Sequence, residues 1–72
     1  MKLPPLTGKQ VLSTLQIMGF AEVSRKGEHV KMQDGDGRRI VFPLHPEMGQ
    51  VTLKGALRDA TIDLDDFIRN IK

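Results

Sequence analysis

The sequence predicts an α+β fold: a helix, a three-stranded antiparallel sheet, a second helix and a short third one. Three observations carry this reading. Apolar residues recur at helical spacing through residues 8–18 and again from Thr52 onward. From Phe20 to Phe42 they alternate with polar residues instead, which is the period of a half-buried strand. Two turn signals, Lys26-Gly27 and Asp34-Gly35-Asp36-Gly37, divide that alternating stretch into three. The chain has 72 residues, about half of the ~100–150 used by a typical domain, so residues 1–72 are expected to form one small domain.

Each element has a local cause. Thr7 stands three residues before Gln10, the capping-box spacing in which each side chain satisfies the other residue's backbone N–H, so a helix is expected from about residue 8. Val11, Leu12, Leu15 and Met18 form its apolar stripe, and Gly19 followed by Phe20 has the pattern of a Schellman ending. Strand-like alternation follows over Ala21–Lys26, over Glu28–Gln33 and over Arg38–Phe42, up to Pro43. Leu44-His45-Pro46-Glu47-Met48-Gly49 reads as a loop. Thr52 is the expected cap of a second helix through about Ala60, with Leu53, Ala56, Leu57 and Ala60 on one stripe and Gly55 as a weak point. Asp63 is the expected cap of a last turn carrying Leu64, Phe67, Ile68 and Ile71. Asp65 and Asp66 fall in its first turn, where the helix dipole favours anions.

Helices must cover one face of the sheet. Strict alternation nominates Ala21, Val23, Val30, Met32, Ile40 and Phe42 for that face. It sends Ser24, Lys26, His29, Lys31 and Arg39 to the opposite, open face.

Composition narrows the chemistry. Hydrophobic residues at 39 % and charged residues at 28 % suit a soluble globular chain with a thin core. No Cys is present, which removes disulfides, thiolate nucleophiles and Cys-ligated zinc and fits a reducing cytoplasm. Apolar runs fall far short of the ~18 residues that span a bilayer, and Met1-Lys2-Leu3-Pro4-Pro5 leads into no signal-peptide core, so neither membrane insertion nor secretion is expected. Residues 1–39 hold seven basic and four acidic residues, whereas residues 40–72 hold four and five. Five of the seven cations fall between Arg25 and Arg39, a density that suits a polyanion as well as it suits a solvated hairpin rim.

Most site chemistries find no support in the motifs. His29 and His45 are the only imidazoles, and no spacing supplies the further donors of a metal site. No serine elbow, P-loop or dinucleotide fingerprint occurs, and Asp34-Gly35-Asp36-Gly37 lacks the remaining ligands of a calcium loop. What remains is Lys26-Gly27-Glu28-His29. A histidine can take a proton from a ribose 2′-hydroxyl near neutral pH, while neighbouring Lys and Arg hold the phosphate. Gly27 would allow close backbone approach to a phosphate, or would simply supply a positive φ. On spacing alone His29 reads more readily as a solvated hairpin residue than as a catalytic one.

In order along the chain, several short motifs resemble the HicA (YcfA-like) toxins of toxin–antitoxin systems. These are Leu15 to Phe20 as a helix end in Gly-Phe, Arg25-Lys26-Gly27-Glu28-His29 as the basic-x-Gly-Ser-His motif, and Asp36-Gly37-Arg38 as the Asp-Gly-Arg turn. Val41-Phe42-Pro43-Leu44-His45 follows as the Pro-x-His strand end, then Thr52-Leu53 with Leu57-Arg58-Asp59-Ala60 as the second helix, and Asp66-Phe67 near the close. The resemblance implies a double-stranded-RNA-binding-like fold and metal-independent, cofactor-free cleavage of mRNA by a single catalytic histidine matching His29. It also implies inhibition by a cognate HicB-type antitoxin, expected to cover the His29 face. Two positions depart from the family pattern: Glu28 stands where the family has Ser, and Val51 where it has Gly. A carboxylate beside His29 would repel phosphate and weaken a general base, or would favour a general acid.

The reading is therefore a cytoplasmic ribonuclease toxin. His29 is catalytic, Lys26, Gly27, Lys31 and Arg39 bind RNA, and His45 and Glu28 are possible secondary residues. A non-catalytic RNA-binding module on the same fold, and a purely structural partner subunit, are the alternatives.

Overall fold

A computed structural model describes residues 3–71; the expectations placed on Met1 and Lys2 lie outside the described residues. The observed order is α1 (Gly8–Ile17), β1 (Ala21–Lys26), β2 (His29–Gln33), β3 (Arg39–Pro43), α2 (Gln50–Asp59) and α3 (Leu64–Arg69). This is the α+β architecture expected, with the element order of a double-stranded-RNA-binding-like fold. The sheet is antiparallel, in the order β1-β2-β3, with β2 in the centre. No helix among the described residues is long and apolar enough to cross a membrane.

The ends of α1 follow from its sequence. Gln10 N–H donates to Thr7 Oγ1 at 3.1 Å and Thr7 N–H donates to Gln10 Oε1 at 2.8 Å, completing the capping box. At the other end Gly19 takes φ 98°, and the N–H groups of Gly19 and Phe20 donate to the carbonyls of Gln16 and Leu15. These are the two bonds of a Schellman motif, and Phe20 turns into the core beside Leu15. Asp63 caps α3 as expected, accepting from Asp66 N–H at 3.2 Å.

The core joins Val11 and Leu15 of α1, Val30 and Met32 of β2, Ile40 and Phe42 of β3, Leu53 and Leu57 of α2, and Phe67 of α3. Leu3, Leu6 and Met48 belong to it as well. The two segments that bring them, neither helix nor strand, are tied by an isolated bridge between Leu6 and Met48, in which Met48 N–H donates to Leu6 C=O at 2.8 Å. Gln50 Nε2 adds a bond to Leu3 C=O at 2.8 Å.

Two expectations are corrected. Ala21 and Val23 are not on the covered face: every residue of β1 is exposed, Val23 by 52 %. A β-bulge between Glu22 and Ser24 leaves Val23 without a partner in the ladder, and it exchanges the faces of the residues before it. Ala21 thus pairs with Gln33, and Glu22 takes the place opposite Met32. β1 is also an edge strand beyond the cover of the helices, so even its core-side positions hold the ion pair of Glu22 with Arg25 rather than apolar residues. Thr52, secondly, does not cap α2. The helix starts three residues earlier, with Gly49 as N-cap and no side-chain cap bond, and its first residue Gln50 is tied back to Leu3.

Candidate functional site

The β1–β2 hairpin is the frame of the site. Lys26 and His29 pair across a two-residue turn, Gly27-Glu28. Gly27 has φ 61° and Glu28 has no positive φ, the type II′ pattern, whose twist matches that of the flanking strands. His29 therefore opens β2, exposed, with Lys26 opposite it on one side and Pro43 on the other.

Residues directly opposite in an antiparallel ladder share a face. The register places Ser24, Lys31 and Val41 in one cross-strand row and Lys26, His29 and Pro43 in the next. A third row holds Ala21, Gln33 and Arg39. These rows share the face opposite to Val30, Met32, Ile40 and Phe42, which are all buried. Lys26, His29, Lys31 and Arg39 thus share the open face, as alternation expected, and the side chain of none of them has a hydrogen bond or ion pair with another described residue. A Cβ built on Gly27 meets nothing within 4 Å, so the turn backbone is open to approach.

Arg38 plays a different part from its neighbour Arg39. Its Nε donates to Asp34 Oδ2 at 2.6 Å, its Nη1 to Thr61 C=O at 3.4 Å, and its guanidinium lies 5.4 Å from the centre of the Phe20 ring. Asp34 also accepts from the backbone N–H groups of Asp36 and Arg38. Burial pushes the Asp34 carboxyl up, but these hydrogen bonds and the Arg38 charge outweigh it and hold its pKa below the usual carboxylate value. The Asp-Gly-Arg turn is thereby a clamp between the β2–β3 hairpin and the end of α2, and it fixes the strand that presents Arg39.

The two secondary residues come together beside the hairpin. His45 Nε2 lies 3.3 Å from Glu28 Oε2. The Glu28 carboxylate is directed to this second histidine, a contact that the one-residue spacing from His29 did not reveal. Among the described residues no group of three or more His, Asp or Glu side chains converges as a metal site requires.

No curated protein matches the chain. A family model described as the HicA toxin of bacterial toxin–antitoxin matches residues 8–62, from the first turn of α1 past the end of α2, and so contains the whole sheet and the loop bearing His45. The resemblance at Asp66-Phe67 lies beyond that match. With most of its length matched, and with the helix, sheet and helix in the order those motifs implied, the chain belongs to the HicA toxin family of bacterial toxin–antitoxin systems.

Proposed function

We propose that this toxin acts as a metal-independent ribonuclease on mRNA, with residues 1–72 working as one domain in the cytoplasm. His29 is its general base, Lys26, Lys31 and Arg39 are the phosphate contacts, and Gly27 is the point of close backbone approach. One observation carries the reading: an exposed histidine at the start of β2 shares an uncovered sheet face with three cations that have no partner among the described residues. Surface cations pair readily with acidic neighbours, so three left open on the same sheet face as an exposed imidazole suit an extended anionic ligand drawn from outside the chain. In cleavage, His29 takes the 2′-hydroxyl proton as the 2′-oxygen attacks phosphorus, and the cations stabilise the charge that develops on the phosphoryl oxygens.

A cognate antitoxin of HicB type is the proposed partner, covering the same face so that His29 is blocked and its cations are satisfied. Purified toxin incubated with RNA in EDTA tests the activity. Cleavage by the parent and its loss in a folded His29→Ala variant are expected, by the ~10²–10⁴-fold typical of an acid–base group. Retained cleavage by that variant overturns the assignment. Salt-dependent RNA binding with no cleavage by the parent identifies a binding module instead. Free hydrogen exchange of residues 26–31 in the antitoxin complex would contradict masking.

A further inference from the structure

His45 and Glu28 face each other next to His29, and a single-histidine mechanism uses neither. Their contact is built by backbone geometry. Leu44 N–H donates to Glu28 C=O at 2.7 Å, carrying the β2–β3 pairing one residue past the strand ends. Gly8 N–H donates to His45 C=O at 2.8 Å, which ties the loop to the first turn of α1. His29 is paired with Pro43, two residues before His45, so both histidines stand at the same end of the sheet. The His45 and Glu28 side chains are 49 % and 73 % exposed, and an ion pair so exposed contributes little to stability. The Glu28 carboxylate stands on the Nε2 side of the ring, a charged contact when the imidazole is protonated, and Nδ1 is the ring nitrogen that does not face it.

We propose that His45, oriented by Glu28, is the general acid of the cleavage reaction, donating from Nδ1 to the departing 5′-oxygen. The inference rests on the reading of His29 as the base. The 2′-hydroxyl proton passes to His29 and the 2′-oxygen forms a bond to phosphorus. The bond from phosphorus to the 5′-oxygen breaks, and that oxygen takes the proton of the His45 imidazolium. The products are a 2′,3′-cyclic phosphate and a 5′-hydroxyl, and no co-reactant is consumed. Glu28 is a positioning residue, acting only through His45. Replacing the family's Ser with Glu thus supplies this chain with a carboxylate to orient its second histidine.

An RNA oligonucleotide cleaved by the parent toxin, with the scissile 5′-oxygen replaced by sulfur, tests the assignment, since a thiolate departs without needing a proton. His45→Gln keeps a side-chain donor for Glu28 and cannot act as an acid. It is expected to lose about 10²-fold or more on the oxygen-linked RNA and to recover to within a few-fold of the parent on the sulfur-linked one. Glu28→Ala should show the same selective recovery with a smaller loss, while His29→Ala should be inactive on both. Equal loss of His45→Gln on both substrates, with a parent-like circular dichroism spectrum, overturns the general-acid role and leaves His29 standing. A parent that cleaves neither overturns both readings.

Discussion

A single methyl group placed at two glycines should have opposite effects. Gly8 opens α1 where the helix meets the loop carrying His45. A Cβ there would stand 2.6 Å from Leu44 Cα, 2.9 Å from Leu44 C and 3.0 Å from His45 N. All three are backbone atoms, so no side-chain rotation relieves the overlap. Overpacking of this kind costs ~1–3 kcal/mol. Parting the two segments would also weaken the 2.8 Å bond from Gly8 N–H to His45 C=O, worth ~0.5–1.5 kcal/mol. The better helix propensity of Ala returns at most ~1 kcal/mol. Gly8→Ala should therefore destabilise the chain by about 2 kcal/mol. At ~4–8 °C per kcal/mol for a domain of this size, Tm should fall by about 8–16 °C. Gly55, inside α2, has nothing within 4 Å of a built Cβ, so Gly55→Ala should gain about 1 kcal/mol and raise Tm by about 4–8 °C. Thermal unfolding followed by circular dichroism reads both. A Gly8→Ala variant as stable as the parent would refute the close approach of α1 to the Leu44–His45 backbone, and with it the anchoring of His45.

The remaining predictions concern the open face, the hairpin clamp and the end of α2. RNA affinity should fall with salt at a slope of roughly −0.7 per phosphate contact, so changing Lys26, Lys31 and Arg39 together to Gln should reduce the slope by about 2; fluorescence anisotropy across a salt series that shows no change would remove this face as the RNA site. The depressed pKa of Asp34 stabilises the fold above the unfolded carboxyl value, and this is lost as pH falls through the folded value. Asp34→Asn should accordingly be less stable near neutrality, and it should lose less further stability on acidification than the parent in urea titrations at several pH values. Thr61 has φ 60°, in the left-handed region that disfavours β-branched residues. Its N–H and that of Ile62 close α2 by bonding the carbonyls of Arg58 and Leu57, so Thr61→Gly should keep the ending and raise stability by about 1 kcal/mol in chemical denaturation.

What the sequence determined by itself is whatever a few neighbouring residues can decide. The capping box of Thr7 and Gln10, the Gly19-Phe20 ending, the turns at Gly27 and at Asp34–Gly37 and the Asp63 cap each close their hydrogen bonds within about one helical turn or hairpin loop, so composition and spacing suffice to read them. Alternation along β2 and β3 likewise placed His29, Lys31 and Arg39 opposite the buried residues, because both strands pair without interruption. Only the tertiary structure decided the rest. β1 has the same alternation, but its bulge exists only in the pairing with β2, and its exposure depends on where the helices end. Leu3, Leu6 and Met48 have no periodic pattern and become core by packing against distant elements. Gly49 rather than Thr52 begins α2, with the following Gln50 held by Leu3 far away in the chain. Glu28 stands beside His29 in sequence, yet its carboxylate meets His45, because the β2–β3 ladder returns the chain to the hairpin and α1 holds the loop there. Contacts between residues remote along the chain depend on where the backbone is carried in space, and local propensity holds no record of that path.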